Sequence, residues 1–262
     1  MLKSLLAHPL TRGLDIDDPH TTALRRKIIQ KKNFLRKIYE EWYKTICEAL
    51  PKGNKPILEL GSGAGFLGDF IPNLITSDVF DCPDIMVVLD GCQLPFGDES
   101  LSAIVMTDVF HHMQHSKRFF AEASRCVKKG GTIIMIEPWV TPWSRLVYSK
   151  LHHEPFQPKA TDWELPQSGP LSGANSALPW IIFERDRTKF EKKYPEWQIQ
   201  EIKTCMPFRY LVSGGVSLKS FMPGWTFGLW RYLENYLQPW MKAWAMFAKI
   251  KLVKINTPAR MK

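Results

Sequence analysis

Short apolar runs recur along the middle of the chain, each ending in a polar or acidic residue and each followed by a stretch of mixed polarity. The pattern predicts buried strands over 57–60, 74–77, 85–89, 103–107 and 132–137. Between them it predicts a short helix over 65–71, stopped by Pro72. It also predicts a helix that Ser116 can cap, running to about Val127 before Gly130 and Gly131 close it. Strands and helices alternating at these lengths imply a doubly wound, mostly parallel α/β sheet with helices on both faces. Ligands in such sheets bind beyond the carboxyl ends of the strands. Glu59, Asp78, Asp90 and Asp108 all fall at those ends.

The flanks follow other rhythms. Over 21–50, Ile28, Phe34, Leu35, Ile38, Trp42, Ile46 and Leu50 return at three-to-four spacing, which predicts one long amphipathic helix. Thr21 or Thr22 can cap it, and Pro51 and Gly53 end it. From 138 to 195 the prolines at 138, 142, 155, 158, 166, 170 and 179 exclude a long regular helix. A structured insertion of that length inside one domain reads as a substrate lid. Beyond it, 197–203 reads as an edge strand. Residues 227–237 and 241–247 read as helical pieces parted at Pro239, and 248–255, apolar alternating with lysine, as a last strand. The expected division is an N-terminal segment and helix (1–56), a ligand-binding core (57–137), a lid (138–195), and a C-terminal completion of the sheet with aromatic, basic helices (196–262).

Composition bounds this picture. At 262 residues, 45% hydrophobic and 23% charged, the chain has room for one α/β domain with additions. No apolar run reaches the roughly 18 residues needed to span a bilayer. The first residues have too short an apolar core for a secretory signal, so the cytoplasm is the expected compartment. Five scattered cysteines form no C-x-x-C pair, and no metal is expected. Charge is uneven: +6 over 1–56, −5 over 57–200 and +8 over 201–262. An acidic core between basic flanks suits solvated faces, or attraction to lipid headgroups or a phosphorylated substrate.

The most informative run is Glu59-Leu60-Gly61-Ser62-Gly63-Ala64-Gly65, a strand end followed by a glycine loop that opens a helix. Such a loop lets a ligand approach the backbone closely. It also suits a dinucleotide, but no pyrophosphate-binding third glycine stands at the expected spacing. Glu59, the glycine loop, Asp78 and Asp90 together resemble the S-adenosylmethionine (SAM) site of class I methyltransferases. Asp90-Gly91-Cys92-Gln93-Leu94-Pro95-Phe96 resembles the Asp-Ala-x-x-Leu-Pro-Phe segment of the type 11 methyltransferases. The pair His111-His112 after the fourth strand and Gly130-Gly131-Thr132 before the fifth are similar to that family too.

The resemblance spans about residues 55–137 and implies a Rossmann-like fold with SAM as cofactor. It implies that Gly61, Ser62, Gly63 and Gly65 meet the methionine moiety, with Glu59 bracing the loop or meeting the ligand ammonium. Asp78 would take both ribose hydroxyls and Asp90 the adenine amino group. Gly91, Leu94 and Asp108 complete the expected cofactor set. The short helix cut by Pro72 departs from the family pattern, and the acidic-Pro-Pro-aromatic run of amide N-methyltransferases is absent.

Methyl transfer from a sulfonium needs a base only if the acceptor must lose a proton. The candidates are His111, His112, His153 and Glu154. His152-His153-Glu154 matches no metal signature, because it lacks the helical i, i+4 spacing. The lid and the tail supply aromatic walls for a small or lipid-like acceptor, with transfer to oxygen or carbon. Trp225, Trp230, Trp240 and Trp244 among basic groups suit a peripheral membrane contact. No RNA-binding module is recognisable, so nucleic acid is not the expected partner. A SAM-fold protein that binds a partner without catalysis, and an RNA methyltransferase, stand as the alternatives.

Overall fold

In the computed structural model, residues 8–10, 13–151, 154–166 and 169–256 are described. A seven-stranded sheet carries the fold. Its strands are Ile57–Leu60 (β1), Leu74–Asp78 (β2), Val87–Val88 (β3), Leu101–Thr107 (β4), Val127–Pro138 (β5), Trp197–Cys205 (β6) and Phe247–Lys254 (β7). They lie in the order β3-β2-β1-β4-β5-β7-β6. The first five are parallel, and β7 inserts antiparallel between β5 and β6. The order reverses at β1 and β4, so a crevice opens beyond their carboxyl ends.

Period-two alternation divides the apolar side chains between the two faces. Ile104, Met106, Ile133, Met135, Ile250 and Leu252 belong to one core. Phe119 and Phe120 join them from the helix Ser116–Cys126 (α3). Ala103, Val105, Ile134 and Ile136 face the other side, against Phe34, Leu35, Ile38, Trp42 and Ile46. The 138–195 stretch, expected as a lid, contributes to the first core: Trp163, Leu178, Phe183 and Phe190 are buried there.

The long N-terminal helix is two helices, Pro19–Lys31 (α1) and Asn33–Ala49 (α2). The cap is Asp18, which accepts from His20 N at 2.8 Å with Pro19 at the first helical position. Thr21 and Thr22 instead lie inside the first turn. The break falls at Lys32, whose backbone leaves the helical region (φ −85, ψ 87). Its ammonium donates to the carbonyls of Gly215 (2.6 Å) and Leu218 (2.9 Å), and burial lowers its pKa to about 8. The three-to-four apolar spacing runs across the break, which hid it.

Other boundaries also moved. Beyond the glycine loop only one 3₁₀ turn forms, at Leu67–Asp69. The fifth strand starts at Val127, directly after α3, so Gly130 and Gly131 lie within it. The 138–195 stretch holds the helices Pro142–Lys150 (α4) and Arg187–Lys193 (α5). The tail holds Arg209–Ser213 (α6), Phe227–Tyr236 (α7) and Met241–Trp244 (α8). No helix among the described residues is long and apolar enough to cross a membrane.

Candidate functional site

A cavity of about 730 Å³ opens beyond β1, β2 and β4. Glu59, Gly61, Ser62, Gly63, Gly65, Asp78, Asp90, Gly91 and Asp108 all line it. Leu94 does not: it is buried in the core, its N–H donating to Glu122 at 2.8 Å and its carbonyl accepting from Arg125 at 3.0 Å. It supports the loop that carries Asp90.

The glycine loop is held on its inner side. Ser62 Oγ donates to Glu59 Oε2 (2.6 Å) and accepts from Ser77 N (3.1 Å), and Ser77 Oγ donates to the Glu59 carbonyl (2.6 Å). Gly63 N donates to Asp78 Oδ2 at 3.0 Å, and Phe80 N to Asp78 Oδ1 at 3.0 Å. A Cβ on Gly63 would stand 2.7 Å from Thr22 Cγ2 and 2.8 Å from Asp78 Oδ2. Gly61 has φ +68, and a Cβ there would meet Val109 at 2.5 Å. The loop therefore requires glycine at both positions. Burial pushes the Glu59 carboxyl up to about 7, and burial also raises Asp78. A ligand ammonium beside Glu59 would favour the ionised form. A close-approach backbone, a carboxylate at each of two neighbouring strand ends and a third at Asp90 fit SAM.

The other end of the cavity is built after β4. Asp108 adopts a left-handed conformation (φ +61), its N–H held by the Ile136 carbonyl at 2.8 Å. Burial pushes its carboxyl up to about 7, although His111 opposes the rise. Glu137, at the end of β5, is fully buried. It accepts from Val109 N (2.9 Å), Phe110 N (2.7 Å) and His111 Nδ1 (2.8 Å). Four lone-pair sites on one carboxylate thus organise the turn that carries both histidines.

His111 does not face the cavity as expected. It is buried, with Nδ1 on Glu137 and Nε2 on Glu154 at 3.2 Å. Burial lowers its pKa, but the hydrogen bonds to Glu137 and Glu154 win and hold it well above the ordinary range. In that state both nitrogens are donors, so His111 orients Glu154 rather than accepting a proton. His112 lines the cavity instead, its Nε2 3.7 Å from Glu154 Oε1. Burial, reinforced by the neighbouring His111 charge, pushes His112 down to about 3, so its ring is neutral. Glu154 lines the cavity as well. His153 lies outside the described residues.

Several lining groups escaped the sequence reading. Ile16, Thr22 and Arg25 come from the N-terminal segment, which Asp17 ties to the 138–195 stretch through Leu171 N (2.7 Å) and Ser172 N (3.1 Å). Tyr43 accepts from Phe66 N at 3.1 Å and backs Gly65. Tyr210, Leu211, Val216 and Leu218 come from the tail. Glu137 had a visible signal, since it is a carboxylate at a strand end like Asp108. The others had none, because long-range folding brings them in.

Comparison with known proteins agrees with this geometry. Residues 69–135 match the family model of the methyltransferase domain of type 11. No curated protein sequence matches the chain. Among solved structures, the complex of the Haloferax volcanii Trm112 methyltransferase activator with a protein assigned as a methyltransferase is similar. It aligns at 12% identity over 91% of this chain and 96% of that chain, with a TM-score of 0.51. Geranyl diphosphate C-methyltransferase from Streptomyces coelicolor A3(2) aligns at 10% identity over 95% of this chain and 90% of its own, TM-score 0.49. A protein from Bacillus halodurans C-125, also assigned as a methyltransferase, aligns at 16% identity over 80% and 95%, TM-score 0.44. At 12% identity and a TM-score of 0.51 the first of these likenesses speaks for the fold alone. The family match reaches further, because its segment runs from the second strand into the fifth and so carries Asp78, Asp90 and Asp108 around the cavity. On that ground residues 69–135 match the methyltransferase domain of type 11, and SAM is the cofactor that this match implies.

Proposed function

We propose that the protein methylates a small, lipid-like acceptor at oxygen, or at a carbon bearing an acidic proton. The observation that carries this reading is the far end of the cavity. There Glu154 and His112 stand together among Val147, Leu151, Tyr210, Leu211, Val216 and Met246. A few polar groups in a largely apolar wall suit a molecule with a reactive hydroxyl or C–H and a hydrophobic body.

SAM supplies a methyl group on a sulfonium, so the leaving group needs no acid. Glu59, the glycine loop, Asp78 and Asp90 are the residues that would hold it. The chain's own task is to aim the acceptor and take its proton. The new bond forms from the acceptor atom to the methyl carbon, and the carbon–sulfur bond breaks with its electron pair going to sulfur. The acceptor proton passes to Glu154, which His111 Nε2 (3.2 Å) and Ser176 Oγ (3.3 Å) hold in place.

The test is tritiated SAM incubated with cell extract separated into lipid, small-molecule and RNA pools. Label is expected in the lipid or small-molecule pool; label confined to RNA would overturn the reading. With the acceptor in hand, Glu154→Gln should lower kcat by about 10²-fold or more while leaving SAM affinity nearly unchanged. Unchanged turnover would remove Glu154 from the proton's path.

A further inference from the structure

We propose that His111, His112 and Glu154 bind a first-row divalent cation of the zinc type at the acceptor end of the cavity. This rests on the reading that the acceptor reacts beside Glu154 and His112, and adds how that pair activates it.

Four observations carry the assignment. The first is convergence: one ligand atom from each residue lies within 4.8 Å of the others. His111 Nε2 is 3.2 Å from Glu154 Oε2, and His112 Nε2 is 3.7 Å from Glu154 Oε1. A tetrahedral ion with bonds of about 2.1 Å sets its ligand atoms about 3.4 Å apart, and each histidine lies near that distance from one of the two Glu154 oxygens. The second is the partner of His111. Its Nδ1 donates to the fully buried Glu137 at 2.8 Å, which aims Nε2 at Glu154. A ligating histidine held through its far nitrogen by a carboxylate is the usual arrangement in metal sites.

The third is charge. Asp108, Glu137 and Glu154 crowd this corner of the molecule, with Arg25 on the cavity wall and His111 beneath. Three carboxyl groups at and beside the candidate ligands favour a cation there. The fourth is access. His112 and Glu154 line the cavity, so a coordination position stays open toward the acceptor, as in catalytic rather than structural sites. Two imidazoles and one carboxylate suit zinc, manganese or iron better than calcium or magnesium, which prefer all-oxygen cages. An acceptor hydroxyl on such an ion would lose its proton more readily, and the Glu154 oxygen left uncoordinated would take it. Loading the ion expels the proton that otherwise bridges His111 Nε2 and Glu154.

The experiment uses the full chain, stripped with a chelator and dialysed. Zn²⁺ is titrated by calorimetry against a competing chelator, and Co²⁺ is added as a visible reporter of coordination. One equivalent of Zn²⁺ is expected, with Co²⁺ giving absorption bands of a low-coordinate site. His112→Ala and Glu154→Gln should each weaken binding at least about 100-fold while remaining folded by circular dichroism. Asp78→Ala, at the cofactor end, should bind the ion normally. Less than one equivalent, or binding that both variants leave intact, overturns the proposal. If the ion fails to bind while Glu154→Gln still abolishes turnover, the proton-transfer reading survives alone. If both variants misfold, Glu137→Gln, which leaves all three ligands present, should weaken Zn²⁺ about tenfold or more; no weakening there also overturns it.

Discussion

At the scale of single residues, two carboxylates of the cofactor end, Glu59 and Asp78, are buried and held above their ordinary pKa. Glu59 has the clearest linkage. Burial raises it from 4.5 to about 7, with Asp78 adding to the rise and the Ser62 hydroxyl and Arg26 opposing it. The native state therefore keeps a proton that the unfolded chain releases near its ordinary pKa. The stabilisation from that proton is complete below about pH 4 and is lost as pH rises toward 7, a difference of order 3 kcal/mol. Thermal melts of the ligand-free protein should fall in Tm between pH 5 and 8, and Glu59→Gln should flatten that slope. Equal slopes would remove Glu59 as the source. A ligand ammonium has the opposite preference, so SAM affinity should rise over the same window. Asp78 is the second test. It holds Gly63 N and Phe80 N and faces the cavity, so Asp78→Ala should weaken SAM by about 1–3 kcal/mol in calorimetry. Asp78→Asn, which keeps one acceptor, should lose less. Equal affinity in all three would sever the residue from the ribose role.

At the scale of elements, the parts read most clearly in the sequence were those whose signal is local. The strands of the core, α3 and the alternating β7 all announce themselves by period within ten residues. Ser116 does not cap α3, however: the N-cap is His115, and the Ser116 hydroxyl donates to the Trp163 carbonyl at 3.1 Å. The break at Lys32 does not, because its cause is two carbonyls about 180 residues away. In the turn after β4 the sequence offers His111 as a candidate base at the transfer site. Which of His111 and His112 faces the cavity depends on Glu137, on a neighbouring strand, and on Glu154, in the 138–195 stretch. The tail has a comparable device that no pattern reveals. Arg209, nearly fully buried, meets Glu41 of α2 through two hydrogen bonds (2.7 and 2.8 Å) and Glu234 of α7 through its Nε. Glu234 also accepts from Phe208 N and Arg209 N, at 2.9 and 2.7 Å. This ion triad fastens α6 and α7 to α2, and with them the wall made by Tyr210 and Leu211. Arg209→Leu leaves buried carboxylate unpaired and should cost about 3–5 kcal/mol in urea unfolding. Adding Glu234→Gln, which keeps an acceptor for both N–H groups without the charge, should recover a large part of it. A single-variant loss under about 1 kcal/mol would mean that packing alone holds the tail.

At the scale of the whole molecule, the exposed surface of the tail is unlike the rest. Trp225 is 82% exposed, Tyr232 71%, Tyr236 72%, Leu229 61% and Trp240 52%. Their spacing along α7 and its flanks puts them at helical intervals of three to four. Between 219 and 244 the single carboxylate is Glu234, which is buried on Arg209, while Lys219, Arg231 and Lys242 are exposed. The surface is thus aromatic and cationic with no exposed acid, a combination that gains from both the headgroup region and the charge of an anionic bilayer. Segment 214–218, which lines the cavity, leads directly into this surface, so a lipid-like acceptor would enter where the protein rests. Flotation with vesicles of anionic and of zwitterionic lipid should show binding to the first that weakens between low and physiological salt. Trp225→Ala with Trp240→Ala should weaken it at every salt concentration, because the aromatic share is not electrostatic. Arg231→Gln with Lys242→Gln should remove mainly the salt-sensitive part. Neither pair lines the cavity, so SAM affinity should stay unchanged in both. Binding indifferent to lipid charge and to both pairs would leave the aromatic face without a membrane role and turn the question to a protein partner or a second copy of the chain.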